Sequence, residues 1–147
     1  MTHRHPWYHR HSLSLVAVGI LAGWIVMYTR SSPDTHLGAF FGNAIADWSG
    51  LVVMVLATKH LYERGSAESR QPRGILPNAV EEFVRDHSLT IFLLLTGAVW
   101  IWAYVHMDVN SKWGQVVGNI VSEWTQTLGL VLMTKRLFEV GSKDSRH

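Results

Sequence analysis

Two carboxylic acids stand near the middle of long apolar stretches of the sequence. Asp47 lies within residues 37–58, and Glu123 lies within residues 113–134. An ionisable group near the centre of a bilayer costs at least ~2.5 kcal/mol on insertion scales, so it usually faces protein or water and serves a function. The two acids are therefore the first candidates for chemistry, because paired carboxyl groups could hold one proton or coordinate a cation.

Amide side chains accompany the two acids. Asn43 precedes Asp47 by four residues and Asn119 precedes Glu123 by four, so each pair shares one helical face, and Gln126 continues the second line. This pattern predicts a polar line on each of two helices, as an ion or proton path would need. A second interpretation stays open, in which the acids are protonated and only hydrogen-bond the helices together.

Histidines supply the remaining candidate ligands. His11 and His87 each precede a serine and an apolar run, as interfacial or capping residues do, so we expect no bis-histidine haem there. His36, His106 and Asp108 are candidates for a divalent metal site, with solvated loop residues as the alternative. The chain has no cysteine and no catalytic triad, phosphate loop or metal motif of recognised spacing, so we predict neither a cofactor nor an enzyme.

Membrane helices are the elements that must carry these residues. Residues 12–29 and 88–105 contain no charged side chain, and the two runs with central acids are of similar length. Such runs suit a hydrocarbon core of ~30 Å. The sequence predicts an all-α integral membrane fold of four transmembrane helices, at about 12–29, 37–62, 88–107 and 113–138.

The second half of the chain repeats the first. A shift of 76 residues aligns residues 11–70 with residues 87–146 without a gap, and 21 of the 60 aligned positions are identical. We therefore predict a tandem duplication of a two-helix hairpin, with one repeat at 1–70, a linker at 71–86 and the second repeat at 87–147. Because each unit crosses the membrane twice, the two repeats are parallel.

Lysine and arginine are unevenly distributed between the ends of the predicted helices. The loops inside the two hairpins hold only Arg30 and Lys112, and the other basic residues lie before the first helix, between the second and third, or after the fourth. By the positive-inside rule, both termini and the linker are cytoplasmic, in a cell inner (plasma) membrane. The lipid bilayer is then a partner, and the absence of a basic, aromatic-interleaved patch predicts no nucleic acid partner.

Short motifs predict how the helices end and pack. Gly38 with Gly42, and Gly114 with Gly118, have the small-xxx-small spacing that lets helix backbones approach closely. In the linker, Asn78 and Glu81 resemble a capping box and predict a brief helix over 79–85. At the end of the second predicted helix, Lys59 and Glu63 have the i,i+4 spacing of an ion pair.

One string of residues carries a resemblance to known proteins. The string is Arg64-Gly65-Ser66-Ala67-Glu68-Ser69, which follows a helix with an Asp-Trp pair. With the His-Ser-Leu triplets that open the odd-numbered helices, it resembles an uncharacterised bacterial family of small four-helix membrane proteins, a domain of unknown function. The resemblance implies the membrane architecture and a bacterial origin, and it implies no activity.

Together these features predict a small channel or transporter-like protein that moves a cation or proton past Asp47 and Glu123. Four helices rarely enclose a wide pore, so we expect a homo-oligomer, a dimer or higher. The alternative is a non-catalytic structural or regulatory subunit of a larger membrane complex.

Overall fold

The computed structural model of the chain describes residues 7–137 and 139–143. Residues 1–6, Phe138 and residues 144–147 lie outside this part, and with them the predicted end of the fourth helix at 138 and the outer limits of the two repeats. The described residues form helices and turns and no strand, so the predicted all-α class is confirmed. The helices are α1 (Trp7–Arg10), α2 (Ser12–Arg30), α3 (His36–Ala57), α4 (Ala79–Asp86), α5 (Ser88–His106) and α6 (Lys112–Met133).

The four long helices pack as a row in the order α2, α3, α6, α5. Helix α2 packs on α3, α3 packs on α6, and α6 packs on α5, so α3 and α6 are the central pair. The core between them includes Tyr28 of α2, Ile45 of α3, Ile120 and Trp124 of α6, and Leu93 of α5. The predicted ion-path residues therefore lie on the two central helices, α3 and α6.

Three of the four predicted spans are long and apolar enough to cross a membrane, namely α2, α3 and α5. Helix α6 is as long as α3, with 22 residues. It is not apolar enough to count among these candidate spans. Its sequence includes Gln115, Asn119, Ser122, Glu123 and Gln126, whose polar side chains lower the apolar content.

The outer helices leave most of their apolar surface uncovered. Only Ala17 and Tyr28 are buried in α2, and only Leu89 and Leu93 are buried in α5. Large apolar side chains are exposed along both helices, as Val16 and Trp102 illustrate. An apolar surface of this extent marks a protein or membrane contact.

The second and fourth long helices end earlier than predicted. Helix α3 ends at Ala57 rather than near residue 62, and α6 ends at Met133 rather than near residue 138. In each case the next residue is a threonine whose hydroxyl bonds back into the helix, Thr58 to the carbonyl of Met54 at 2.6 Å and Thr134 to that of Leu130 at 3.0 Å. The chain then turns over residues 58–60 and 134–136.

The linker contains the predicted short helix. Helix α4 begins after Asn78, whose side chain accepts a 3.0 Å bond from the backbone N–H of Val80. The cap satisfies one of the free N–H groups of the first turn. The helix ends one residue beyond the predicted Arg85, at Asp86.

Candidate functional site

A direct hydrogen bond joins the two central helices at the predicted amides. Asn119 Nδ2 donates to Asn43 Oδ1 at 2.5 Å, across the contact between α3 and α6. Asn43 is exposed and Asn119 is half-buried. The two polar lines predicted from sequence therefore meet at this level.

The two acids lie one turn further along but in different surroundings. The charges of the Asp47 and Glu123 carboxyl groups are close enough to interact. Asp47 is exposed, whereas Glu123 is half-buried against Gly50 of α3. A Cβ atom on Gly50 would stand 2.8 Å from Glu123 Cγ and 3.0 Å from its Oε1, so the missing side chain at position 50 makes the space for Glu123.

The polar side chains lie on an open face of the α3–α6 pair and not in an enclosed channel within one chain. Gln126, 76 residues after Gly50, is exposed, as are Asn43 and Asp47. On the α5 side of α6, Asn119 and Ser122 line a groove of about 570 Å³. The side-chain amide of Asn119, which bonds Asn43, therefore borders open space.

The paired glycines pack inside each hairpin. Space beside Gly42 is taken by the Tyr28 ring, and space beside Gly118 by the Tyr104 ring. One turn earlier, Gly38 and Gly114 lie directly against the backbone carbonyls of Ser32 and Asp108, so a side chain at either position would collide with the loop. These glycines let the loop and the preceding tyrosine approach the helix.

The candidate metal ligands do not gather. His36 and His106 are exposed, and His106 Nδ1 donates to the Trp102 carbonyl at 2.8 Å. Asp108 instead accepts a 2.9 Å bond from the backbone N–H of Asn110. Among residues 7–137 and 139–143, no three His, Asp or Glu side chains are grouped to hold a metal ion.

The candidate haem histidines each contact a charged side chain. His11 Nδ1 lies 3.1 Å from Lys59 Nζ, and His87 Nδ1 lies 2.7 Å from Glu63 Oε1. One nitrogen of each ring is therefore engaged by the protein. Both histidines are at the end of the bundle that holds the linker, which we call the linker end.

The linker end contains an ionic cluster that sequence reasoning missed. Glu63 is fully buried, with 0% of its surface exposed, and its Oε1 accepts a 2.6 Å bond from Lys135 Nζ. The predicted i,i+4 pairing of Glu63 with Lys59 is wrong, because α3 ends at Ala57, before both residues, and helical spacing no longer applies to them. Lys59 contacts His11 instead.

Glu63 stays charged in this buried position. Desolvation raises its pKa, but the hydrogen bond and positive charge of Lys135, together with the hydrogen bond from His87, lower it more, so the pKa of Glu63 lies below its usual value of 4.5. A sequence signal existed, since Glu63 and Lys135 both stand at identical positions of the repeat. The signal could not say which lysine the acid binds.

The string after α3 folds back onto the end of α6. Ser66 Oγ lies 3.0 Å from Thr134 Oγ1, which also accepts a 3.2 Å bond from the backbone N–H of Ala67. The Ser66–Thr134 contact is buried. The segment 64–69, on which the family resemblance rests, therefore joins the first half of the chain to the second by hydrogen bonds.

The chain matches no family model, no curated protein and no solved structure. The resemblance to the bacterial four-helix family therefore stays a prediction.

Proposed function

We propose that α2, α3, α5 and α6 all cross a cell inner (plasma) membrane as two parallel hairpins, with the linker and both termini in the cytoplasm. Support comes from the helix bounds, because α2 and α5 have 19 residues each and α3 and α6 have 22 each. The uncovered apolar surface of α2 and α5 is what lipid would contact. Helix α6 tolerates its polar residues because it lies centrally, between α3 and α5.

Within that membrane, the protein moves a small cation or a proton along the polar face of α3 and α6. The observation that carries this proposal is the exposure of Asp47 on that face, in the middle of α3. Facing lipid, a carboxylate would cost at least ~2.5 kcal/mol, so water or protein must cover it. Water along this face would make a path past both acids.

A second copy of the chain would close the path. Two open faces related by a twofold axis would place two copies of Asn43, Asp47 and Glu123 around one aqueous line. Carboxylate and amide oxygens are the ligands that hard cations take. The same carboxyl groups could pass a proton between them, and no catalytic chemistry is proposed.

The rival function is a structural or regulatory subunit of a larger membrane complex. Two observations support it. Asn119 and Asn43 satisfy one another by a hydrogen bond, and Glu123 packs into the space left by Gly50. Polar groups in membrane helices commonly act in this way as contacts between helices. Asp47 would then bond a partner protein, and co-purification of that partner would be lost in Asp47→Asn.

Flux into proteoliposomes tests the transport proposal. Purified wild type, Asp47→Asn and Glu123→Gln are reconstituted, and proton and cation uptake are followed under imposed gradients. Asp34→Asn, in the loop before α3, is the control, because it removes the same charge at an exposed site outside the helices.

We expect flux in wild type and in Asp34→Asn, and its loss in Asp47→Asn and Glu123→Gln at unchanged helical content. No flux from folded wild type under any gradient would exclude simple transport and favour the subunit role. Flux that is the same in all four proteins would exclude the acids from the path.

A further inference from the structure

Helix α4 exposes its apolar side chains and buries a charged one, which is the reverse of a surface helix in a water-soluble domain. Val80, Phe83 and Val84 share one face by their i, i+3, i+4 spacing, and they are exposed, Val80 at 68% and Phe83 at 61%. The other side of the helix carries Glu82, Arg85 and Asp86, and Asp86 is buried at 2%. An amphipathic helix in water buries its apolar stripe, so this helix is oriented for an apolar surrounding.

Ion pairs hold α4 in this orientation. Asp86 Oδ2 lies 2.7 Å from Arg64 Nη2, and Asp86 Oδ1 lies 2.8 Å from Arg85 Nη2. Arg64 also contacts Glu82 at 3.2 Å. Because the charged face is fastened to the protein, the apolar face is fixed outward.

A basic cleft lies next to this helix. It has a volume of about 710 Å³ and is lined by Tyr62, Arg70, Gln71, Pro72, Arg73 and Arg85. No acidic residue is among the lining residues. Arg85 is fixed by its bonds to Asp86 and to the Arg73 carbonyl. Within the described part of the chain, no carboxylate pairs with the side chain of Arg70 or Arg73.

The chemistry of the cleft selects a phosphate group. Guanidinium groups present planar, forked donors that match phosphate oxygens and stay charged at every relevant pH. Arg85 is paired with Asp86, so Arg70 and Arg73, which pair with no carboxylate in the described residues, supply the net positive charge of the cleft. A free phosphate would satisfy the arginines but would leave the exposed face of α4 in water.

We infer that this cleft binds the phosphate of an anionic glycerophospholipid of the cytoplasmic leaflet, with Val80, Phe83 and Val84 lying among its first acyl carbons. The inference rests on the proposed membrane placement and not on transport. The cleft is at the linker end, between the end of α3 and the start of α5, where lipid headgroups would lie. Helices of this amphipathic type lie in the interface, and the cytoplasmic leaflet carries the anionic lipid.

Lipid binding to the detergent-purified full chain tests the inference. Native mass spectrometry and the thermal unfolding midpoint are measured with phosphatidylglycerol, with phosphatidylcholine and with inorganic phosphate. The test variant is Arg70→Gln/Arg73→Gln. The matched control is Arg10→Gln/Arg136→Gln, which removes the same charge on the same side from exposed residues outside the cleft.

We expect phosphatidylglycerol to bind and to raise the midpoint, and phosphatidylcholine and phosphate to do neither. Each basic residue that contacts the anionic headgroup contributes about fivefold in affinity, so the test variant should bind about 25-fold more weakly than wild type, whereas the control should bind nearly as tightly as wild type. Val80→Gln/Val84→Gln keeps every arginine and should also weaken lipid binding, because the apolar contact is lost.

Three outcomes would overturn the inference. Equal binding of phosphatidylglycerol and phosphatidylcholine would remove the selectivity for an anionic headgroup. This comparison uses wild type alone, so it holds whether or not the variants fold. An equal loss in the matched control would reduce the effect to general charge. Displacement of the lipid by millimolar phosphate, with no effect of Val80→Gln/Val84→Gln, would assign the cleft to a soluble phosphate. Binding is read without any gradient, so absent flux with intact lipid selectivity would count only against transport.

Discussion

Lys135 Nζ lies 2.6 Å from Glu63 Oε1, although 72 residues separate the two in the chain. The pair connects the segment after α3 to the end of α6, and His87 at the start of α5 completes it. Glu63 is fully buried, while Lys135 keeps about a quarter of its side chain exposed, at 26%. One buried acid therefore links three segments of the chain at the linker end.

Removal of Lys135 should strongly destabilise the fold. In Lys135→Met the buried carboxylate keeps His87 but loses its cation, and breaking a buried ion pair from one side costs about 3 kcal/mol or more. Arg136→Met, at the exposed neighbouring residue, should change stability by no more than about 0.5 kcal/mol. Unfolding titrations in mixed micelles compare the two, and equal stabilities would show that the pair contributes nothing.

Stability should fall in acid because of Glu63. Its pKa in the folded protein is below the usual value of 4.5, so the folded state binds this proton less readily than the unfolded state. The contribution is complete above pH 4.5 and is lost as the pH falls through the folded-state pKa. The unfolding midpoint of wild type should therefore drop more between pH 6 and pH 3 than that of Glu63→Gln. Parallel curves for the two proteins would contradict this assignment.

Gly50 should tolerate no added methyl group while Glu123 is present. The new Cβ in Gly50→Ala would stand 2.8 Å from Glu123 Cγ, so the acid must move, at about 1–3 kcal/mol. Gly23→Ala is the control, because nothing lies within 4 Å of its Cβ position. That substitution should leave stability unchanged or raise it by up to about 1 kcal/mol, since alanine is the better helix former. Equal effects of Gly50→Ala and Gly23→Ala on stability would contradict the contact between Gly50 and Glu123.

The Asn43–Asn119 bond should appear as a coupling energy. A double-mutant cycle with Asn43→Ala and Asn119→Ala should give about 0.6 kcal/mol and no more than ~1.7 kcal/mol, the range for polar contacts between helices in a membrane. A cycle of Asn43→Ala with Thr125→Ala should give about zero, because the Thr125 hydroxyl bonds Val121 of its own helix. Coupling in the second cycle as large as in the first would indicate an indirect effect.

Local patterns in the sequence determine most of the elements. The charge-free runs predict α2 and α5 to within two residues at their ends, and Asn78 predicts the start of α4 through a bond made two residues away. These features depend on near neighbours, whose geometry a single helix turn sets. The ends of α3 and α6 escaped prediction because residues 58–62 and 134–138 contain no glycine or proline that would mark a helix end in the sequence.

Which residues come together was decided by the tertiary structure alone. Sequence spacing paired Glu63 with Lys59, but the buried acid binds Lys135 because the row of helices brings the end of α6 beside the segment after α3. The sequence also placed Asp47 and Glu123 on facing polar lines, and only packing decides that the first is exposed and that the second lies against Gly50. The outward face of α4 is likewise set by Arg64, outside that helix. Contacts between distant segments depend on how helices pack, and helical periodicity specifies a face but not the neighbour that the face meets.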